Sequence, residues 1–167
     1  KYEELAQTLE RIRDNGSYEF YNGETAKRIV SYVQELGGIL SLDDLRNYRA
    51  QWRKPITFTY KDYTISSMPL PSSGGICLAQ ILKSVEPYNI GQYPHNGEQY
   101  IQLLVEAERR AYADRAYYMG DADFVKVPTQ QLLSPDYLKE RMSSFSWDKA
   151  SKSTEIAHGK IVGYESD

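Results

Sequence analysis

Three observations predict an α+β chain, mainly helical with one short β-hairpin. Apolar residues recur at helical spacing over most of the 167 residues, the periodicity of amphipathic helices. They alternate at a period of two only between residues 56 and 67, as in a pair of half-buried strands. Between that segment and the most apolar helix stands Ser67-Met68-Pro69-Leu70-Pro71-Ser72-Ser73-Gly74-Gly75, a rigid elbow that joins strand to helix.

Composition bounds the rest. A hydrophobic content of 41% and a charged content of 26% suit a globular domain with a real core at this length. The net charge is −3, with Lys and Arg interspersed among acids, which gives no reason to expect nucleic acid as a partner. No apolar run approaches the ~20 residues of a membrane span. Cys77 is the only cysteine, so no intramolecular disulfide forms and the redox compartment stays open. Fifteen tyrosines against four phenylalanines favour half-buried positions, where a ring packs and its hydroxyl stays wet. The opening Lys1-Tyr2-Glu3-Glu4 already lies inside a helical pattern and reads as cut from something longer.

Residues 1–50 are predicted to be helical. Tyr2, Leu5, Ala6, Leu9 and Ile12 form one stripe, ended by Gly16 at a C-cap position. Ala26, Ile29, Val30, Val33 and Leu36 form a second, stopped by Gly37-Gly38. Ser41 is the N-cap of a short third helix through Leu42-Asp43-Asp44. The three stripes are predicted to pack together and leave Glu, Lys and Arg outside.

Residues 55–86 hold the hairpin, the elbow and a helix. Ile56, Phe58 and Tyr60 alternate with Thr57 and Thr59, and Tyr63 to Ser67 returns after Lys61-Asp62. A two-residue turn favours Gly or Asn at positive φ, which Asp62 tolerates less well. Pro69 and Pro71 lack the N–H that a strand ladder needs, so the strand ends before them. Ser72 and Ser73 offer capping oxygens, while Gly74 and Gly75 offer a backbone that another segment can approach closely. Ile76 to Val85 is apolar on almost every side, with Leu78, Ile81, Leu82 and Val85 strongest, and this predicts burial all round.

Tyr88 to Gly97 reads as a loop, and residues 96–145 as helical again. From about Glu98 to Met119 one face carries Tyr100, Leu103, Leu104, Ala107, Ala111 and Tyr118, the alanines allowing close approach. Asp114 falls on the same face and needs a partner when buried, which Arg110 or Arg115 could supply. Gln130 to Ser144 forms the last helical stretch, with Ser134-Pro135 as cap and first helical residue. Residues 146–167 form a polar tail.

Few side chains suggest chemistry by themselves. Ser72-Ser73-Gly74-Gly75 could present free N–H groups to an anion, but it reads more simply as a tight turn that packs the elbow under a sheet. The Gly-x-Ser-x-Gly pattern of a serine nucleophile is missing. Asp114 and Arg115 read as an internal ion pair orienting two helices rather than as substrate ligands. Asp121 and Asp123 lack the glycine and distal glutamate of a calcium loop and read as surface turn residues. His95 and His158 have no His or Cys at ligand spacing, so no metal site is predicted. Cys77 reads as an inert small hydrophobe.

Several segments, taken in order, resemble the large subunit of the γ-glutamyltransferase (γ-glutamyl transpeptidase) family. They are Phe20-Tyr21-Asn22-Gly23, Gly37-Gly38-Ile39-Leu40-Ser41 with Asp43-Asp44-Leu45 and Tyr48, and Met68 to Gly75. Ala111-Tyr112-Ala113-Asp114-Arg115, Gly120 to Val127 with Pro128, Leu132-Leu133-Ser134 with Tyr137, and Tyr164-Glu165-Ser166 follow. Each is weak alone, and the shared order makes the match specific. Leu70 and Ala122 depart from an expected proline and Asp62 from a common glycine, which touches turn rigidity more than chemistry.

The resemblance implies a piece of the αββα sandwich of an N-terminal-nucleophile hydrolase, covering the C-terminal part of the large subunit. It places Glu165, Ser166 and Asp167 just before the self-cleavage site, where a following threonine becomes the new N-terminus. It places the elbow residues Pro69, Pro71, Ser72, Ser73, Gly74 and Gly75 beside the active site as structural support. The nucleophile and most substrate-holding groups are then expected in the small subunit of the same precursor. An arginine that grips the substrate α-carboxylate is expected earlier in the large subunit. No catalytic, substrate-binding or metal residue is therefore assigned here, no cofactor is implied, and the piece alone is expected to be inactive. The complete enzyme would act on γ-glutamyl amides such as glutathione, passing the γ-glutamyl group to water or an amino acid through a threonine ester. Most bacterial members work outside the cytoplasm, which implies a periplasmic or extracellular setting. Two alternatives stay open: a non-catalytic helical module that binds a partner through its Tyr-rich faces, and a related acylase or polyglutamate-processing enzyme of the same fold.

Overall fold

The computed structural model describes residues 1–164, so Glu165, Ser166 and Asp167 lie outside the described residues. It is mostly helical with a two-stranded antiparallel hairpin, as expected. The chain divides into two compact units, Lys1–Trp52 and Arg53–Asp167. No helix among the described residues is long and apolar enough to cross a membrane.

The first unit holds α1 (Glu3–Asn15), α2 (Ser17–Tyr21), α3 (Glu24–Glu35) and α4 (Leu42–Asn47). Gly16 takes φ 61 and ends α1, as its position predicts. Ser41 caps α4 in a reciprocal box: its Oγ accepts from the Asp44 N–H, and the Asp44 carboxylate accepts from the Ser41 N–H at 2.8 Å. Two expectations need correction. A fourth helix, α2, intervenes, because five residues are too few to show a period. The α1 stripe is not covered either, since α1 has no buried residue and Tyr2, Leu5 and Leu9 are exposed. A buried carboxylate does the joining instead. Glu19 on α2 accepts from the Thr25 N–H and Oγ1–H, both at 2.9 Å, and from Arg11 Nε at 3.1 Å.

The second unit begins with β1 (Ile56–Tyr60) and β2 (Tyr63–Ser67), in the register Ile56↔Ser67 and Tyr60↔Tyr63. The strained turn residue is Lys61, at φ 50, rather than Asp62. Its N–H donates to Glu86 Oε1 at 2.6 Å, tying the turn to the end of the next helix. The elbow follows and leads into α5 (Gly74–Val85), which packs along the long α6 (Glu98–Tyr118). Ala107 and Ala111, both buried, allow the close approach their size predicts.

Helix α5 is not buried all round: Leu78 is exposed, whereas Gln80 and Ser84 are buried. Polar demand from α6, described below, sets the rotation of α5 more than its apolar stripe does. The last helical stretch is two helices, α7 (Thr129–Leu132) and α8 (Pro135–Met142). Pro135 has no N–H to continue a helix from upstream, so Ser134 caps a new one.

Two apolar clusters fill this unit. Ile76, Tyr118, Leu132, Tyr137 and Leu138 form one, and Val85, Leu103, Ala107 and Met142 the other. Strand β1 reaches both, with Ile56 on the first and Tyr60 on the second. Full burial of a side chain such as Ile76 contributes about 1.5–3 kcal/mol.

A Cβ at position 75 would overlap the Met68 carbonyl oxygen and lie 3.0 Å from Ile56 Cβ, whereas one at position 74 meets only Ser72 Oγ, at 3.3 Å. Gly75→Ala is therefore expected to destabilise the protein by about 1–3 kcal/mol, and Gly74→Ala to stay within about 1 kcal/mol of the parent. Urea titration followed by circular dichroism measures both.

Candidate functional site: the elbow and the polar ladder of the central helix

The elbow is built from both sides. The Ser72 N–H donates to the Pro69 carbonyl at 3.1 Å, and the Gly74 N–H to Ser72 Oγ at 3.3 Å. Leu70, between the prolines, packs on the first apolar cluster, and the Leu70–Pro71 peptide is cis. Ser73, the residue before α5, uses its hydroxyl otherwise: Ser73 Oγ accepts from Arg115 Nε at 2.8 Å. So Ser72, not Ser73, supplies the local capping oxygen, and Ser73 links the elbow to α6. Cys77, one turn on, is buried, and burial pushes its thiol pKa up, as suits an inert packing residue.

The groups with most chemical consequence lie along α6. Glu106, Arg110 and Asp114 are spaced one turn apart and are all buried. Arg110 Nη1 donates to Glu106 Oε2 at 2.6 Å, its Nε to the Arg141 carbonyl at 2.6 Å, and its Nη2 to Ser144 Oγ at 2.8 Å. Glu106 Oε1 accepts the Ser151 N–H at 2.7 Å. Burial pushes the Glu106 carboxyl up, but the bonds from Arg110 and Ser151 outweigh it and hold the group below its usual range.

Asp114 is paired, though with neither expected arginine. Its Oδ1 meets Arg141 Nη2 at 3.1 Å and accepts the Gly159 N–H at 2.9 Å, while Oδ2 accepts Gln80 Nε2 at 3.0 Å. Arg110 is spent on Glu106, and Arg115 points to the elbow. Both nearby arginines fail because each already satisfies another group, and the true partner comes from α8. Asp123 likewise is more than a turn residue, since both its oxygens accept from the Arg53 guanidinium, which lowers its pKa.

The tail is where these groups converge. The Gly159 carbonyl accepts the Tyr118 hydroxyl at 2.5 Å, and His158 stacks on Tyr117 with ring centroids 3.6 Å apart. Burial raises the Tyr118 pKa. Burial first, and the Asp114 carboxylate second, push the Tyr137 phenol far above its ordinary value. A Cβ on Gly159 would overlap the Tyr137 hydroxyl and come within 2.6 Å of Arg141 Cδ. Chemically the arrangement orients backbone. Gln80, Tyr118, Arg141 and Gly159 escape a reading of the sequence, although Glu106 and Asp114, as acids two turns apart on an apolar face, are a visible signal.

Asp114→Ala would leave Arg141 without its carboxylate and the Gly159 N–H without its acceptor, and should cost about 3–5 kcal/mol, read from the urea midpoint. Glu106, depressed when folded, binds fewer protons folded than unfolded, so its contribution is present above its usual pKa of 4.5 and lost as pH falls through the folded value. Glu106→Gln should therefore flatten the fall of melting temperature between about pH 5 and pH 3, measured by differential scanning calorimetry.

Residues 1–166 match the family model described as gamma-glutamyltranspeptidase. The glutathione hydrolase proenzyme of Escherichia coli (strain K12) is 44% identical over 163 residues, which is 98% of this chain and 28% of that protein. The gamma-glutamyltranspeptidase from Pseudomonas nitroreducens, solved with L-DON, superposes with a TM-score of 0.80 at 42% identity over 93% of this chain and 47% of that one. The Helicobacter pylori gamma-glutamyltranspeptidase gives 0.81 at 39% identity, over 93% and 45%. The chain thus spans under a third of the length of the E. coli relative, through the hairpin, the elbow and the ladder of α6 alike. It belongs to the gamma-glutamyltranspeptidase family.

Proposed function

We propose that this chain is the C-terminal part of the large subunit of an enzyme that cleaves γ-glutamyl amides such as glutathione. The observation that carries the reading is the family match over residues 1–166 together with the TM-score of 0.80. The relatives' description as proenzymes supports a precursor that is cut into two subunits. On this reading the cut falls shortly after Glu165-Ser166-Asp167, and the partner is the small subunit of the same precursor.

The chemistry would be carried by a threonine beyond these residues, exposed as a new N-terminus. Its hydroxyl adds to the γ-carbonyl carbon while its own α-amino group takes the proton. Backbone N–H groups steady the oxyanion, and the amine leaves with a proton. The resulting γ-glutamyl ester is opened by water, giving glutamate, or by an amino acid, giving a new γ-glutamyl peptide. The described residues act as rigid support: the elbow is locked to the hairpin by Gly75 and to α6 by Arg115, and rigid elements position reacting groups best. A periplasmic or extracellular setting completes the proposal, checked by fractionating cells.

The test compares the precursor extended by its own codons at both ends, so that the earlier part of the large subunit and the segment past Asp167 are both present, with this chain alone. The extended form should split into two bands and release aniline from a γ-glutamyl-anilide. The chain alone should release none. Turnover by the chain alone, or by an extended form that prefers an N-acyl amide over the γ-glutamyl one, would overturn it.

A further inference from the structure

We infer that α6 clamps the tail at Gly159 and thereby sets the geometry of the segment that is cut, with Asp114 and Tyr118 as positioning residues for self-cleavage. This rests on the processing step proposed above. Two carboxylates on α6 each take a backbone N–H of the tail, Glu106 that of Ser151 and Asp114 that of Gly159, and both bonds span 45 residues. The equal offset means that helix and tail run in the same direction, in register at both points.

The two carboxylates are about 12 Å apart along the helix at ~1.5 Å per residue. A fully extended tail would cover about 26–29 Å over the same count of residues. The 3-10 turn Ser153–Glu155 takes up part of the slack. There is no comparable slack at Gly159 itself. Its N–H is held by Asp114, its C=O by Tyr118 with His158 Nδ1 also 2.9 Å away, and its Cα side is closed by Tyr137 and Arg141. One residue is therefore fixed in position and in the tilt of both adjoining peptide planes.

Downstream, the Tyr164 N–H donates to the Ile161 carbonyl at 3.3 Å, and Gly163 takes φ 76. That is a β-turn with glycine where a positive φ is required. Ile161 and Tyr164 pack on the first apolar cluster, with the Tyr164 ring edge-on to Tyr118 at 4.9 Å. Clamp and turn together fix the path of the tail from Gly159 to Tyr164. In self-cleavage the threonine hydroxyl adds to the carbonyl carbon before it, the C–N bond breaks as the amine takes the proton, and water then hydrolyses the ester. Such a step is sensitive to placement, since a shift of ~1 Å can cost about 100-fold in rate.

The test uses the full precursor, with cleavage followed by gel against time. Gly159→Ala forces the tail outward, and Tyr118→Phe removes one buried hydroxyl with little change of shape. Leu103→Ala, in the other apolar cluster, is the control for lost stability. The expected result is at least tenfold slower cleavage for Gly159→Ala and Tyr118→Phe. Leu103→Ala, with an equal or larger loss of melting temperature, should stay within threefold of wild type. Turnover per cleaved molecule should be unchanged in all three. If Gly159→Ala does not fold, Tyr118→Phe alone decides. Wild-type cleavage rates in the clamp variants, or slowing that follows melting temperature across all three, would overturn the inference. A wild-type precursor that stays intact removes this inference and the processing step together. One that cleaves but turns over no γ-glutamyl amide fails only the earlier proposal of substrate, and the variants still decide here.

Discussion

Three ionised side chains inside α6 cannot remain buried unless other parts of the molecule come to them. Isolated buried charges cost several kcal/mol each even after relaxation, so Glu106, Arg110 and Asp114 impose obligations that the apolar surface does not. Between them they recruit three other parts of the unit: Asp114 takes Gln80 from α5, Arg141 from α8 and Gly159 from the tail, Arg110 takes Ser144 after α8, and Glu106 takes Ser151 from the tail. The apolar clusters on either side supply burial energy but tolerate sliding. Hydrogen bonds to ionised groups are short and directional, so the ladder supplies the register. This explains why α5 turns Leu78 to solvent and keeps Gln80 inside.

The elbow obeys a second constraint, close approach. Gly75 lets the start of α5 sit on Ile56 and on the Met68 carbonyl, and Arg115 reaches back from α6 to Ser73. Hairpin, elbow and central helix are thereby one rigid piece. Burial of Ile76, directly after Gly75, fixes the helix start from the apolar side as well.

What the sequence made legible is what depends on neighbours in the chain. The Ser41 cap, the Gly16 terminus, the strand alternation and the span of α6 each follow from a few adjacent residues. Asp114 shows the limit. Its burial and its need for a cation follow from helical spacing, but the cation, Arg141, comes from another helix, and no local rule selects it over Arg110. Helix α2 is too short to announce itself by period, and the exposed α1 stripe shows that periodicity marks an amphipathic face without saying what covers it. Gly75 was legible as a close-approach residue because nothing but Gly fits such a contact, whereas Gly74, read in the same way, has room for a Cβ beside Ser72 Oγ. Which of the elbow's serines faces α6 was not legible, since both offer the same hydroxyl.

The tail was the least legible part, for a reason that bears on its role. Asp114 and Tyr118 hold the N–H and C=O of Gly159, groups that every residue but proline carries, so almost no side-chain identity betrays the contact. Only the glycine is dictated, by the Tyr137 hydroxyl and Arg141. An anchor made this way is indifferent to the tail's side chains and strict about its path. Apolar contacts from Ile161 and Tyr164 would hold the same segment at a given depth but would leave its direction free to vary. Adding a carboxylate on the peptide before Gly159 and a phenol on the peptide after it removes that freedom, at the cost of burying a charge that must then be shared with Arg141 and Gln80. A segment that needed only to be covered would not require it. The ladder of α6 therefore belongs to the geometry of the chain that follows Gly159 as much as to the stability of the helices around it.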